Sequence, residues 1–522
     1  MQLQHLFASY PFSFSPAELP GVAISGIALD SRSVGPGMLF VAIPGGSADG
    51  HDHIVQAISN GAAAVLGERT IEGLSVPYIR VDNSRRALTY LSAAFYDWPG
   101  RKLTVIGVTG TDGKTTTTNL IHRILLAAGL KAGMISTVNA VIGEEVVDTG
   151  FHVTTPDAHD LQRYLARMVE SGLTHVVLET TSHGWSQHRV DACEFDIGVV
   201  TNITHEHLDQ HGSYENYRAA KARLFESLER TPPKPHGNAR LAVINHDDSS
   251  FKFLHELTKV PQVNYGLEQG ADVRAVEITY TGEGITFEAV GSYFRVYIKS
   301  QLVGAYNVSN CLAALAATVV GLAIDPLVAA QGIAALAGIP GRMERIDVGQ
   351  DFTAIVDFAH TPNALKVALQ AAHQLTRGRV IAVFGSAGLR DKEKRRMMAE
   401  TSAELADLSI LTAEDPRSES LDDILTEMAA GAASAGGREG ETFWRVPDRG
   451  EAVRLAVSLA RAGDVVIACG KGHEQSMCFG AIEYAWDDRI AMRAALSDLL
   501  HVQGPEMPYL PSRDKSETEW MH

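Results

Sequence analysis

The sequence predicts an α/β protein of three domains, at residues 1–97, 98–338 and 339–522. Three observations predict it. The first 97 residues hold short β-like runs broken by Gly and Pro, together with a helical pattern. From Leu103 to about Leu336, apolar strands alternate with helical patterns, and the first strand opens on a glycine-rich turn. Beyond residue 338, four further apolar strand candidates are separated by helical stretches.

Each element follows from local composition. "GVAISGIALDSRSVGPGMLFVAIPG" supplies the punctuated strands of the first domain, and "GHDHIVQAISNGAAAVLGE" reads as a helix followed by a strand. "DWPGRK" reads as a linker. In the middle domain "LTVIGVTG" is a strand ending in a glycine turn, and "TTTNLIHRILLAAGL" is a helix stopped by Gly129. "THVVLE" and "FDIGVVTN" are further strands with apolar residues on both faces, which predicts a parallel sheet covered on both sides. "CLAALAATVVGLAI" reads as a buried helix, too short to cross a bilayer. "GIPGRMERI" marks the second boundary. After it "TAIVDFA", "RVIAVFG", "LSILTAE" and "DVVIACG" predict a second, Rossmann-like doubly wound sheet. The polar, proline-bearing stretch from about Gly504 reads as a loose tail.

The 522 residues are 45% hydrophobic and 20% charged, as in an ordinary soluble globular chain. The net charge of -17 argues against a broad nucleic-acid or anionic-membrane surface, while leaving room for local basic pockets. The four cysteines, Cys193, Cys311, Cys469 and Cys478, have no metal-type spacing and fit a reducing compartment. The start of the chain shows no basic segment followed by an apolar core, so no signal peptide is expected. Cytoplasm, no membrane insertion, no nucleic-acid partner and a monomer are the expectations.

The stretch "VIGVTGTDGKTTTTN" carries the chemistry. Gly110 and Gly113 allow a tight turn with exposed N–H groups, and the helix beginning near Lys114 adds its positive end. Lys114 can reach β and γ phosphates, and the Thr115 or Thr116 hydroxyl can hold Mg²⁺. Val108 stands where the common phosphate loop has its first glycine. Glu179, at the end of an apolar strand, is a carboxylate suited to a hard cation. His205, His207 and His211 cluster on a loop without zinc-type spacing, and Lys221 lies among alanines on a helix.

"GVTGTDGKTTT" resembles the loop of the Mur ligase family, ATP-dependent enzymes that build the peptide of bacterial cell-wall precursors. The resemblance covers nearly the whole chain and is nearest the MurE type, which adds the third stem-peptide residue. It implies ATP bound by Gly110, Thr111, Asp112, Gly113, Lys114, Thr115, Thr116, Asn307, Asp357 and His360. It implies Mg²⁺ held by Thr115, Glu179, His207 and a Lys221 carbamylated by CO₂, with Lys114, Lys221 and His207 as the catalytic set. The uridine-nucleotide substrate, UDP-MurNAc-L-Ala-D-Glu, would meet Leu29, Ser31, Gly46, Ser47, Ala48, Thr154, Thr155, Thr181, Gln187 and Arg189. The incoming diamino acid would meet Arg395, Glu414, Asp415, Pro416, Arg417, Gly470 and Glu474.

The resemblance implies amide formation through an acyl phosphate. Closure of the C-terminal domain would keep water away from that intermediate. Ligases for meso-diaminopimelate usually read DNPR where this chain reads "EDPR". Arg417 suits a distal carboxylate, whereas Asp415 suits a distal ammonium. meso-Diaminopimelate is the expected acceptor. L-Ornithine or L-lysine, a different Mur-type ligase such as a folylpolyglutamate synthase, and a non-catalytic nucleotide-binding subunit are the alternatives.

Overall fold

The computed structural model describes residues 1–45, 49–147, 154–204, 212–281 and 284–512. The chain forms two compact units. One comprises Met1–Arg274, Gly291–Tyr293 and Asn310–Gly332; the other comprises Ala275–Val290, Phe294–Ser309 and Ile333–His522.

The first unit holds two sheets. The N-terminal one contains β1 (Phe14–Ser15), β2 (Gly26–Ala28), β3 (Met38–Val41), β4 (Ala64–Gly67) and β5 (Tyr78–Val81), in the order β1-β5-β4-β3-β2. All its pairs are parallel except β1 with β5. The helix Ser84–Phe95 follows, opened by the Asn83 side chain accepting from Arg86 N–H. Its Leu88 and Leu91 face are buried with Leu39, Val41 and Leu66 of the sheet.

The chain then enters the second sheet through the segment read as a linker, which is anchored rather than loose. Trp98 takes a left-handed conformation and Pro99–Lys102 form a 3₁₀ turn. Arg101 stacks 3.9 Å from the Trp98 ring centroid and pairs with Glu194 at 3.0 Å.

The second sheet is built around β6 (Thr104–Thr109), buried along its whole length. It is followed by β7 (Ala132–Ile135), β8 (Ala140–Ile142), β9 (Glu145–Val147), β10 (His175–Glu179), β11 (Ile197–Val200), β12 (Leu241–Asn245), β13 (Gln262–Gly266) and β14 (Val273–Thr281). The strand order runs β14-β13-β12-β11-β6-β10-β7-β8-β9, with the residues of β14 from Ala275 onward belonging to the second unit. β6 lies between β10 and β11 and is parallel to both, as apolar strands joined by helical crossovers must be. The β7-β8-β9 edge is antiparallel, because the short Ser136–Asn139 connection is hairpin-sized.

The second unit contains an antiparallel pair, β15 (Gly284–Val290) and β16 (Arg295–Ser300). It also contains β17 (Glu344–Ile346), β18 (Thr353–Asp357), β19 (Val380–Phe384), β20 (Leu408–Leu411), β21 (Phe443–Arg445) and β22 (Val465–Cys469), in the order β17-β18-β22-β19-β20-β21. A hairpin of β23 (Ser476–Phe479) and β24 (Ile482–Ala485) completes it. Alternate residues of the strands feed two cores. Ile355, Ala382 and Ile467 pack with Leu369, Met398 and Leu425 from the helices Pro362–Leu375, Glu393–Leu405 and Leu421–Ser434. Val356, Val383 and Val466 pack with Val453, Met492 and Leu496 from Arg449–Leu459 and Asp488–Leu500.

The chain thus leaves β22 toward one face and leaves its neighbours β18 and β19 toward the other. The carboxyl end of β22, at Gly470 and Lys471, is the crevice where open parallel sheets receive ligands. Of the stretch read as a loose tail, 504–506 are exposed, 507–512 are docked, with Leu510 buried and the Ser512 hydroxyl donating to Asp448 at 2.9 Å, and 513–522 lie outside the described residues. Among the described residues no helix is long and apolar enough to cross a membrane.

Candidate functional site

In the first unit the turn after β6 is shaped by two glycines. Gly110 has φ of +150°, and a Cβ there would sit 1.8 Å from Thr201 Oγ1. Gly113, at φ +82°, opens the helix Lys114–Ala127, and a Cβ there would meet Asn310 Oδ1 at 2.4 Å. No other residue type fits either place. The loop is held from the end of β11. Thr111 N–H donates to the Asn202 carbonyl at 2.7 Å, and Asp112 N–H donates to Asn202 Oδ1 at 3.0 Å. Thr201 Oγ1 and Asn202 Nδ2 both donate to the Asp112 carbonyl, at 2.5 and 3.1 Å. Lys114 folds back, its Nζ donating to the Thr111 carbonyl at 2.7 Å.

Two further expected groups converge here. Glu179 ends β10, directly beside Val108 of β6. Its carboxylate accepts from Thr115 Oγ1 at 3.1 and 3.0 Å, and from Thr137 N–H at 2.9 Å and Thr137 Oγ1 at 2.8 Å. The clustered oxygens are the donor set a hard divalent cation takes, so they fit Mg²⁺. Lys221, on the helix Tyr214–Arg230, is buried and donates to the Gly110 carbonyl. Its Nζ lies 4.5 Å from the Tyr217 ring centroid, and the Tyr217 hydroxyl is 3.0 Å from Thr111 Oγ1. Thr116 is buried in the first turn of the Lys114–Ala127 helix. His205, His207 and His211 lie outside the described residues, as do Gly46, Ser47 and Ala48.

The residues expected to meet the dipeptide form one connected patch. The Thr137 and Thr154 hydroxyls are 3.2 Å apart, as are those of Thr155 and Thr181. Arg189 donates to the Thr155 carbonyl at 2.6 Å and to Gln187 Oε1 at 3.0 Å, and pairs with Asp157 at 3.3 Å. This chain of polar side chains leads from Glu179 outward. In the N-terminal sheet, Leu29 is half-buried after β2 and the Ser31 hydroxyl donates to Gln56 at 2.9 Å.

In the second unit, Asn307 is buried and donates to the Val303 carbonyl at 2.7 Å. Asp357, at the end of β18, accepts from Met343 N–H at 2.7 Å and Ala359 N–H at 2.8 Å. Desolvation, and then the nearby Lys394 cation, push the His360 imidazole down to about 3, so it is neutral at physiological pH.

The "EDPR" loop follows β20 at the same end of the sheet as Gly470. Asp415 and Arg417 both have positive φ, +41° and +54°, an unfavourable conformation for these residues that the surroundings must enforce. They do so through backbone bonds. Gly388 N–H donates to the Asp415 carbonyl at 3.0 Å, Arg417 N–H to Cys478 O at 3.0 Å, and Gly480 N–H to the Arg417 carbonyl at 2.7 Å. The Asp415 carboxylate accepts from Lys471 at 3.0 and 3.1 Å and from Cys478 N–H at 2.9 Å. Glu474 pairs with Lys471 at 2.5 Å. Glu414 is buried with Oε2 lacking a hydrogen-bond partner among the described residues, and burial drives it up to about 7. The half-exposed Arg417 guanidinium has no hydrogen bond or ion pair to a described residue.

Arg395 does not fit its expected role. Its side chain is fully buried, donating to Glu419 at 2.9 and 2.6 Å and to Glu427 at 2.8 Å. An acceptor carboxylate would have to displace one of these internal partners, at the cost of a buried charge pair.

Comparison with known proteins decides the family. Residues 23–96 match the "Mur ligase family, catalytic domain", 108–318 the "Mur ligase middle domain" and 341–472 the "Mur ligase, glutamate ligase domain". The chain belongs to the Mur ligase family. It is 43% identical over 495 residues to a UDP-N-acetylmuramyl-tripeptide synthetase of Roseiflexus sp., covering 93% of this chain and 97% of that protein. It is 40% identical over 481 residues to a UDP-N-acetylmuramoyl-L-alanyl-D-glutamate–2,6-diaminopimelate ligase of Geobacillus thermodenitrificans, covering 91% and 95%. A solved structure of a ligase with the latter name superposes with a TM-score of 0.66 at 30% identity, over 96% of this chain and 100% of the other. Folylpolyglutamate synthase of Mycobacterium tuberculosis, at 14% identity, covering 80% of this chain and 95% of the other, and a TM-score of 0.60, shares the fold.

Within this Mur ligase, several residues at the site escape sequence reasoning. Thr137 and Asn202 hold Glu179 and the phosphate loop, yet each is an ordinary polar residue just past a strand end. Lys471 lies in "GKGHEQ", between Gly470 and Glu474. Its burial, the signal that singles it out, is a property of the fold.

Proposed function

We propose that this chain is an ATP-dependent acid–amino-acid ligase that joins meso-2,6-diaminopimelate to UDP-N-acetylmuramoyl-L-alanyl-D-glutamate, with domains at 1–97, 98–338 and 339–522. The observation that carries the choice of acceptor is the contrast between two arginines. Arg395 spends its guanidinium on Glu419 and Glu427, whereas Arg417 has donors left for an incoming carboxylate.

An oxygen of the D-glutamate γ-carboxylate attacks the γ-phosphorus of ATP, the bond to the β-phosphate oxygen breaks, and ADP and an acyl phosphate result. The uncharged amine of the acceptor attacks the acyl carbon, inorganic phosphate leaves, and the amine loses a proton to give the amide. The N–H groups of the Gly110–Thr116 loop cradle the transferring phosphates and Lys114 offsets their charge. Thr115, Glu179, His207 and a carbamylated Lys221 are the residues that would hold Mg²⁺, which would offset phosphate charge when bound. Burial of Lys221 against the Gly110 carbonyl supports a role for it at the loop rather than on a solvated helix face. Asn307, Asp357 and His360 are candidate nucleotide contacts. Thr154, Thr155, Thr181, Gln187 and Arg189, with Leu29, Ser31 and 46–48, are candidate contacts for the uridine-nucleotide substrate. The reading includes a cytoplasmic monomer; that the four cysteines form no disulfide suits a reducing compartment.

The test is ATP-driven ligation with purified components. ADP and a product heavier by one acceptor minus water are expected when both the uridine nucleotide and diaminopimelate are present. Turnover that is independent of either would overturn the reading.

A further inference from the structure

The Asp415 carboxylate stands two residues from Arg417, and by charge alone it works against recognition of an anionic group. Lys471 changes that balance. Its side chain is fully buried, its Nζ contacts both Asp415 oxygens at 3.0 and 3.1 Å, and Glu474 lies 2.5 Å away on its other side. Burial opposes the ammonium, but the Glu474 and Asp415 carboxylates outweigh it and hold Lys471 above the usual lysine range. The cation is therefore permanent at working pH. It sits at the carboxyl end of β22, in the crevice where the topology places a ligand.

Resting on the reading that the "EDPR" loop meets the acceptor, we infer that Lys471 is a specificity-determining residue: shared between Asp415 and Glu474, it offsets the Asp415 charge and positions the loop, so that Arg417 governs the sign of the group read at the acceptor's far end. With Lys471 removed, the Asp415 and Glu474 carboxylates both lose their shared cation, and the negative charge beside Arg417 grows by one. Acceptors ending in an ammonium, such as lysine or ornithine, then gain at the expense of those ending in a carboxylate. Removing both charges together returns the loop to the control of Arg417.

The experiment compares kcat/KM for meso-diaminopimelate and for L-lysine in wild type, Lys471→Gln and Lys471→Gln/Asp415→Asn, with thermal melts of each. In Lys471→Gln the ratio should fall about tenfold or more, the scale of one close charge pair, through the acceptor KM and with the ATP KM unchanged. The double variant should recover the wild-type preference to within about threefold, as expected when coupled charges are removed together. A wild type that prefers lysine would overturn the underlying acceptor reading. A wild type that prefers diaminopimelate, with an unchanged ratio in folded Lys471→Gln, would overturn this inference alone. If Lys471→Gln does not fold, the double variant decides. A folded double variant with wild-type preference supports charge cancellation; one that prefers lysine, or also fails to fold, overturns it.

Discussion

The phosphate loop of the first unit and the "EDPR" loop of the second solve opposite problems. At the phosphate loop Lys114 rests on a neutral group, the Thr111 carbonyl. That contact is weak enough to be exchanged for a phosphate without stranding a charge. Around the acceptor loop the buried cations rest on carboxylates, Lys471 on Asp415 and Glu474, and Arg395 on Glu419 and Glu427. Such pairs hold their shape because breaking them leaves a buried ion unpaired. The first region is arranged to be rearranged by its ligand, and the second is arranged to stay as it is, with Arg417 as its uncommitted cation.

The largest effect that can break this comparison is kinetic. Lys114→Ala should cut kcat by about 10²–10³ or more, the cost of removing one preorganised charge from a transferring group. Its unfolding free energy should change by less than about 1 kcal/mol, since one half-exposed hydrogen bond to a carbonyl is lost. A normal rate in a folded variant would remove the loop from the chemistry.

A lysine of the first unit that does rest on a carboxylate sharpens the contrast. Lys234 is fully buried, 2.5 Å from Asp196, and also donates to the Leu103 and Glu194 carbonyls. Lys234→Ala strands Asp196 and should cost about 3–5 kcal/mol in denaturant unfolding while leaving the acceptor preference of the folded enzyme unchanged. A loss below about 1 kcal/mol, the range of exposed pairs, would show that the pair is not a structural anchor.

The smallest effect concerns Glu414. Its folded pKa of about 7 lies above the ordinary 4.5. Between those values the folded state keeps the proton that the unfolded state has lost. The wild type should therefore lose stability as pH rises from 4.5 to 7, and remain lower above it. Glu414→Gln, which cannot ionise, should match the wild type near pH 4. It should exceed the wild type by up to about 3 kcal/mol near pH 8, since each pH unit between the two pKa values is worth about 1.4 kcal/mol. Parallel pH profiles of the two proteins would contradict this environment for Glu414.

What was legible in the sequence follows the same division. Gly110, Gly113, Lys114 and Thr115 are neighbours in the chain and declare the phosphate loop together, and Glu179 is announced by the apolar strand it ends. The doubly wound sheet was visible because β18, β19, β20 and β22 lie in predominantly apolar runs. The three- and four-residue strands β17, β21, β23 and β24 were not, since so short a run carries no periodicity. The charge pairs of the acceptor region join residues far apart in sequence, 56 positions for Lys471 and Asp415 and 32 for Arg395 and Glu427. By local composition "LRDKEKRR" alone reads as a charged, solvated helix face. Folding buries Arg395 from that face against acidic residues of the next loop and helix, which no window of sequence contains. The same applies to "DWPGRK", whose anchoring depends on Glu194.

The central claim is that Arg417 reads a carboxylate at the far end of the acceptor. The most direct measurement is kcat/KM for meso-diaminopimelate, L-ornithine and L-lysine in wild type and Arg417→Ala. A charge-assisted bidentate pair worth about 1.5–3 kcal/mol predicts that the wild type favours diaminopimelate by about ten- to a hundredfold, and that the variant loses most of that preference. A wild type that favours ornithine or lysine, with the order unchanged in Arg417→Ala, would contradict it.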